Sequence, residues 1–165
     1  MFDKLGYLSL LEQFILNLAF KSENSEVILL GNKGAKDKIE KLNLRLENYM
    51  VVENKTIKEV LSWISSKNIL LTSPNNFITF NHNYFYDNCT NNDLVCLHDK
   101  TNRIPYNYLF AIKGSVINKL LDLNFDFLED IDLKALSKEV ESVKWYNLLN
   151  ATDIDKVKNI YQSLI

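Results

Sequence analysis

Residues 26–74, "EVILLGNKGAKDKIEKLNLRLENYMVVENKTIKEVLSWISSKNILLTSP", switch repeatedly between two hydrophobic periods. "EVILLG" is a short, unbroken apolar run ending at Gly31, which predicts a strand buried on both faces. "AKDKIEKLNLRLENY" then places Ile39, Leu42 and Leu46 at helical spacing, with Lys and Glu on the opposite side. "MVVE" is again strand-like. Thr56 stands where it can cap "IKEVLSWISSK", whose Ile57, Val60, Leu61 and Ile64 form one stripe. "NILLTSP" is a third apolar strand, stopped by Pro74. Short apolar strands alternating with helices predict an α/β chain, with a Rossmann-like parallel sheet covered by helices on both faces.

Outward from this block the pattern changes. Leu5, Leu8, Leu11, Ile15, Leu18 and Ala19 recur at helical spacing, predicting a largely buried helix over 7–22. Asp3, Glu12, Gln13 and Asn17 interrupt that segment, so it reads neither as a signal peptide nor as a membrane span. Beyond Pro74, "FITF", "YFY", "DLVCLH" and "NYLFAIK" are short β-rich runs between Asn, Asp and Thr clusters, which suggests a mixed or antiparallel extension of the sheet. "SVINKLLDL", opened by Ser115, and "LEDIDLKALSKEV" predict helices. "SVKWYNLL" predicts a last strand before a C-terminal helix over "IDKVKNIYQSLI". No linker or repeat divides the chain, and 165 residues that are 47% hydrophobic can bury one real core, so 1–165 is expected to be a single domain.

Charge narrows the partners. Nineteen basic against 21 acidic residues give a formal charge of −2, which offers no footprint for nucleic acid or an anionic membrane. Cys89 and Cys96 lack the C-x-x-C spacing of a zinc site and are too few for a disulfide framework, so reduced thiols in a cytoplasmic protein are expected.

The stretch "WYNLLNATD", residues 145–153, has the order of a site: an aromatic pair, Asn147, two leucines, and a polar turn that could start a helix. Other candidates carry less chemistry. His82 and His98 have no Ser elbow or Cys partner in the sequence and read as structural or solvent-facing. Glu129, Asp130 and Asp132 precede a helix and suit its N-terminal dipole. Phe77, Phe80, Tyr84, Phe85, Tyr86, Tyr106, Tyr108 and Phe110 could wall a sugar or base pocket, but at strand spacing they fit core and cross-strand pairs.

Residues 5–42, "LGYLSLLEQFILNLAFKSENSEVILLGNKGAKDKIEKL", resemble the part of sugar-phosphate nucleotidyltransferases, a GT-A-like family, that follows the signature loop: V-G-G-K-P-L-L-E, a helix, an apolar strand ending in Gly, and a helix with K-I-E. "WYNLLNATD" resembles the family's closing W-x-D-I-x-T-x-x-D, with Trp145 and Asp153 in register and Asn147 at the first Asp. "ILLTSPNNF" resembles the strand and G-D-N that follow it there, with Asn75 at the Asp position and Asn76 beside it. "NYLFAIKGSVINKLL" is similar to the family's strand and helix after its sugar-binding segment.

Three departures accompany the likeness. The family's opening strand and A-A-G-x-G-x-R loop, which hold the triphosphate, have no counterpart after Met1. "GNKG", Gly31 to Gly34, reads more simply as a turn out of a strand than as a phosphate cradle. Nucleotidyl transfer uses Mg²⁺, a hard cation usually held by carboxylates, whereas Asn75 and Asn147 offer only neutral carbonyls. In so Asn-rich a chain, both also read as ordinary turn and strand-end residues.

The resemblance therefore implies an N-terminally truncated, degenerate relative with no catalytic residue, metal or cofactor, tied to surface-polysaccharide or sugar-nucleotide metabolism. Asn75, Asn76, Asn147 and Asp153 are its candidate contacts to a nucleotide sugar, or the chain has a protein partner. The competing reading is a small α/β interaction protein of inhibitor or immunity type. An active enzyme borrowing its phosphate loop from another chain ranks below both.

Two geometric expectations follow. Asn75 and Asn147 should lie on neighbouring strand ends above one cleft. Because the family's absent strand is central, residues 27–30 and 69–72 should pair directly in a monomer; otherwise another segment or a second copy must cap the open edge.

Overall fold

The computed structural model describes residues 4–5, 8–9, 26–42, 48–73, 91–99 and 102–148. The expected strands of the central block form. β1 (Val27–Gly31) and β2 (Tyr49–Glu53) are parallel, Val27 opposite Tyr49 and Gly31 opposite Glu53. Between them a sharp turn enters α1 (Ala35–Glu40). That turn requires glycine: Gly34 has φ 84°, and a Cβ on Gly31 would lie 2.5 Å from the Cβ of Ala35. Ile39 is the buried residue of α1, packing on Leu29, Tyr49 and Val51. The helix is shorter than its apolar spacing suggests. It gives way to a turn at Lys41–Leu42, and 43–47 lie outside the described residues.

Thr56 caps α2 (Ile57–Leu61) as its position predicts. Its hydroxyl accepts from the Glu59 amide at 3.1 Å, and the Glu59 carboxylate accepts from the Thr56 amide at 2.8 Å, a reciprocal box. Lys58 on this helix donates to the Leu123 carbonyl, and its ammonium lies 4.9 Å from the centre of the Phe125 ring.

The third apolar strand, β3 (Asn68–Thr72), joins a different sheet from β1. With β4 (Leu94–Asp99), β5 (Pro105–Lys113) and β6 (Val143–Leu148) it forms a four-stranded mixed sheet in the order β3-β5-β4-β6. β5 is antiparallel to both of its neighbours, while β4 and β6 are parallel. The expected pairing of 27–30 with 69–72 is therefore not formed: β3 takes its hydrogen bonds from β5, and β1 takes its own from β2. The chain is α/β with a mixed β extension, as the sequence implies, but the extension begins at β3.

Both faces of the mixed sheet are covered. Leu94, Cys96, Phe110 and Ile112 pack on Leu120 of α3 (Ile117–Leu121), on Leu133 and Leu136 of α4 (Leu133–Glu139), and on Phe125, Leu128 and Ile131. Val95, Leu97, Leu109 and Ala111 face the other way, with Leu70, Tyr106 and Tyr146. The eight strand residues of these two sets are all 0% exposed, which is why "DLVC" shows no alternation.

Three local expectations are corrected. Ser115 does not cap a helix; a 3-10 turn over Gly114–Val116 leads into α3, and its cap has no side-chain hydrogen bond. Within that turn Gly114 packs so tightly that a Cβ there would lie 2.1 Å from the Ser66 carbonyl oxygen. "LEDIDLKALSKEV" is not one helix but a 3-10 turn over Leu128–Asp130 followed by α4, which Asp132 caps by accepting from the Ala135 amide at 2.9 Å. Leu8–Ser9 pairs antiparallel with Lys4–Leu5 and so is not the start of a helix. The rest of that segment, "FITF", "YFY" and the C-terminal helix lie outside the described residues.

Candidate functional site

The parallel register of β4 and β6 sets the geometry at their C-terminal ends. Cys96 lies opposite Trp145, and His98 lies opposite Asn147. The His98 and Trp145 rings are 5.8 Å apart, tilted by 55°. His98 Nδ1 is 2.9 Å from the Asp99 carbonyl oxygen, and a carbonyl only accepts, so Nδ1 is the donor in this contact. Asn147 is exposed beside it.

A turn and a bulge shape the ground around this pair. The Asp99 carboxylate accepts from the Asn102 amide at 2.6 Å, and Arg103 at φ 52° reverses the chain into β5. Cys96 is opposite Phe110 whereas His98 is opposite Pro105, so β5 advances five residues while β4 advances two. Within the bulge, Asn107 donates to the Glu129 and Ile131 carbonyls at 2.9 and 2.8 Å, tying β5 to the turn before α4. The Tyr106 and Tyr108 rings stack obliquely at 5.3 Å. Burial, with a smaller contribution from Tyr108, pushes the Tyr106 phenol up to about 12.

Chemically, the described part of this site offers a carboxamide, a half-buried imidazole and the Trp145 ring. Such groups hydrogen-bond a neutral polyol or a base edge. They do not suit Mg²⁺: Asn147 is neutral, the nearest carboxylate in the strand, Asp99, is engaged in its turn, and among the described residues no three His, Cys, Asp or Glu side chains converge.

Of the sequence-selected contacts, only Asn147 is described; Asn75, Asn76 and Asp153 lie outside the described residues. The strand leading toward Asn75 is β3 and the strand carrying Asn147 is β6, the two edges of the four-stranded sheet. These strands are not neighbours as expected, because β5 and β4 lie between them. The neighbour Asn147 does have, His98, becomes visible only when "DLVCLH" and "SVKWYNLL" are known to run parallel and in register.

The other candidates fall to structural roles. The first-turn amide of Lys36 donates to the Glu53 carboxylate at 2.8 Å, so the "GNKG" turn is met by an anion from within the chain. Asp132 caps α4, and Asp130 accepts from the Phe127 amide at 3.1 Å. Phe110 is fully buried in the core. His82, Phe77, Phe80, Tyr84, Phe85 and Tyr86 lie outside the described residues.

No family model matches the chain, and no curated protein matches it by sequence. Solved structures do. The 4-diphosphocytidyl-2C-methyl-D-erythritol synthase of Anaerococcus prevotii superposes with a TM-score of 0.68 at 15% identity, over 96% of this chain and 88% of its own. HddC of Yersinia pseudotuberculosis, also seen complexed with GMP-PN, gives 0.68 at 13% identity over 97% and 88%. A Bacillus anthracis protein assigned as a glucose-1-phosphate thymidylyltransferase, seen with sucrose, gives 0.68 at 6% identity over 98% and 85%. The chain has the nucleotidyltransferase fold. The resemblance in element order that the sequence carries therefore extends to three dimensions, across nearly all of the chain, at identities where the fold is what is shared.

Proposed function

We propose that this chain is a nucleotidyltransferase-like protein without transferase activity, which binds a nucleotide sugar or a protein partner in cytoplasmic sugar-nucleotide or surface-polysaccharide metabolism. The observation that carries this reading is the carboxamide of Asn147 at the C-terminal end of β6, where the sequence resemblance places a Mg²⁺-binding carboxylate. A neutral oxygen there neither grips a hard cation nor balances triphosphate charge, yet it still hydrogen-bonds sugar hydroxyls. Asn75, Asn76 and Asp153 complete the proposed contacts. The purified chain, given CTP or UTP with sugar phosphates or choline phosphate, is expected to release no pyrophosphate. Robust release that disappears in Asn147→Ala would overturn the reading. Asn75→Asp combined with Asn147→Asp is expected to raise divalent-ion affinity without producing turnover, since the carboxylates alone do not orient a triphosphate.

An α/β interaction protein of inhibitor or immunity type is the competing reading. The observation favouring it is the exposure of Trp63 and Phe127, at 57% and 64%. Titration with UDP-glucose separates the two: heat of binding lost in Asn147→Ala supports the nucleotide-sugar reading.

A further inference from the structure

The segment that carries α2 into β3 meets the segment that carries β5 into the turn before α3, and between them lies a pocket of about 430 Å³. Small-molecule sites span roughly 300–1,000 Å³. Gly114 holds the two segments together. Its amide donates to the Lys67 carbonyl at 2.8 Å, and a Cβ on it would lie 2.1 Å from the Ser66 carbonyl oxygen, so the close approach needs a residue without a side chain. Half-buried Ile64 joins the pocket to the core of the four-stranded sheet. The remaining walls are Ser65, Ser66, Lys67, Lys113 and Ser115.

The charge of these walls runs against that of the chain. Two ammonium groups and three hydroxyls line the pocket with no carboxylate among them, although the formal net charge of the chain is −2. Among the described residues the Lys67 side chain has no ion pair, and the three hydroxyls make no hydrogen bond. Lys113 meets the Asp93 carboxylate at 3.4 Å, but that carboxylate also accepts from the Glu141 and Ser142 amides at 3.1 and 3.2 Å. An ammonium has three N–H groups, so this one contact leaves two for a ligand. The pocket is also distinct from the Asn147 site. The Lys113 amide donates to the Asp93 carbonyl at 2.9 Å, beside the start of β4, whereas His98 and Asn147 face one another at its other end, about 13 Å along the strand.

Lysines only donate, and hydroxyls turn to donate when an acceptor faces them, so the pocket is rich in donors. A cation is repelled there, and a neutral polyol leaves both ammonium groups without a counter-charge. A phosphate group carries about −1.5 to −2 charges at pH 7 and three strong acceptor oxygens, which suits two ammonium groups flanked by hydroxyls. At roughly 30 Å³ per water-sized group, the pocket exceeds the five heavy atoms of a phosphate about threefold, so a small carbon skeleton fits beside the anion. We propose that this pocket binds the phosphate group of a small phosphomonoester. Lys67 and Lys113 meet its charge, and the Ser65, Ser66 and Ser115 hydroxyls meet its remaining oxygens and the adjoining skeleton.

Amide NMR of the 165-residue chain tests this, with glucose 6-phosphate as probe and inorganic phosphate and glucose as comparisons. Glucose 6-phosphate is expected to shift the amides of Ser66, Lys67, Gly114 and Ser115 in a saturable way and to bind more tightly than inorganic phosphate. Uncharged glucose is expected to shift none of them. The amides of His98 and Asn147 are expected to stay in place, which keeps this outcome separate from the UDP-glucose test of the Asn147 site. Lys67→Glu, at an exposed side chain, is expected to keep the fold and weaken binding about tenfold or more, because a charge-assisted contact becomes a repulsion, while Lys67→Arg retains binding. No saturable shift at the four amides overturns the proposal. So do shifts confined to His98 and Asn147, equal affinity in Lys67→Glu, or glucose binding as tightly as its phosphate. Inorganic phosphate binding as tightly as glucose 6-phosphate overturns the assignment to a monoester.

Discussion

Gly114 is the position where a single methyl group does the most local damage. Its amide donates to the Lys67 carbonyl at 2.8 Å, and any Cβ would meet the Ser66 carbonyl at 2.1 Å, a backbone atom that cannot rotate away. Gly114→Ala is expected to cost about 1–3 kcal/mol in urea unfolding, whereas Gly→Ala at an open site is neutral or stabilising. Tyr106 gives a titration that can be followed directly. Its phenol ionises at about 12 in the folded chain, against roughly 10 in an unfolded one, so the unfolded state loses its proton first. Its contribution to stability is complete below about pH 10 and falls away as pH climbs toward 12. Absorbance at 295 nm should show a late phase that Tyr106→Phe removes, and a variant that leaves the late phase intact would assign it elsewhere. At this scale the sequence is legible where chemistry is local, as with the Thr56–Glu59 box. It is silent on pairs such as His98 and Asn147, which are made by strand register alone.

Strands cohere through end contacts as well as ladders, and Asp93 is the clearest case. Its carboxylate accepts from the Glu141 and Ser142 amides at 3.1 and 3.2 Å and pairs with the Lys113 ammonium at 3.4 Å, the two side chains being 14% and 23% exposed. Its own amide donates to the Ser142 hydroxyl at 2.9 Å. One side chain thus clasps the start of β4, the end of β5 and the start of β6. Asp93→Ala is expected to cost about 2–4 kcal/mol, since it strands two amides and a partly buried cation, and Asp93→Asn about half that because an acceptor survives. Equal losses for the two variants would show that charge, and not hydrogen bonding, holds the clasp. The apolar runs at 27–31, 49–53, 68–72, 94–99 and 105–113 announce strands because each is too short for a helix and bounded by turn residues. They do not announce partners: "NILLT" is as apolar as "VILLG", and its choice of β5 over β1 depends on the long β5 strand reaching back along it. Ser115 looks like a cap because its residue type is visible in sequence, while the 3-10 turn that contains it is not.

The two sheets differ sharply in how much core they own. The four-stranded sheet has strand residues at 0% exposure on both faces and draws on Leu120, Ile131, Leu133 and Leu136 from outside it. Among the described residues the β1–α1–β2 unit has two buried side chains, Ile39 and Val52, with Leu30 and Met50 still 40% and 44% exposed on the strands. Opening free energy follows buried apolar contact, so the two units should not exchange their amides at the same rate. Amides of Val95, Leu97, Phe110 and Ala111 are expected to exchange only through global unfolding, and those of Leu29 and Val51 through a smaller, earlier opening. Two variants separate the units. Leu136→Ala removes a fully buried side chain under the mixed sheet, should cost about 2–5 kcal/mol, and should accelerate exchange everywhere, because no unit outlasts the global state. Ile39→Ala should accelerate exchange in β1, α1 and β2 while leaving β4 and β5 at their original rates. If Ile39→Ala instead speeds β4 and β5 by the same factor as β1, the two sheets unfold together. If only β1, α1 and β2 respond, that unit opens on its own below the global transition.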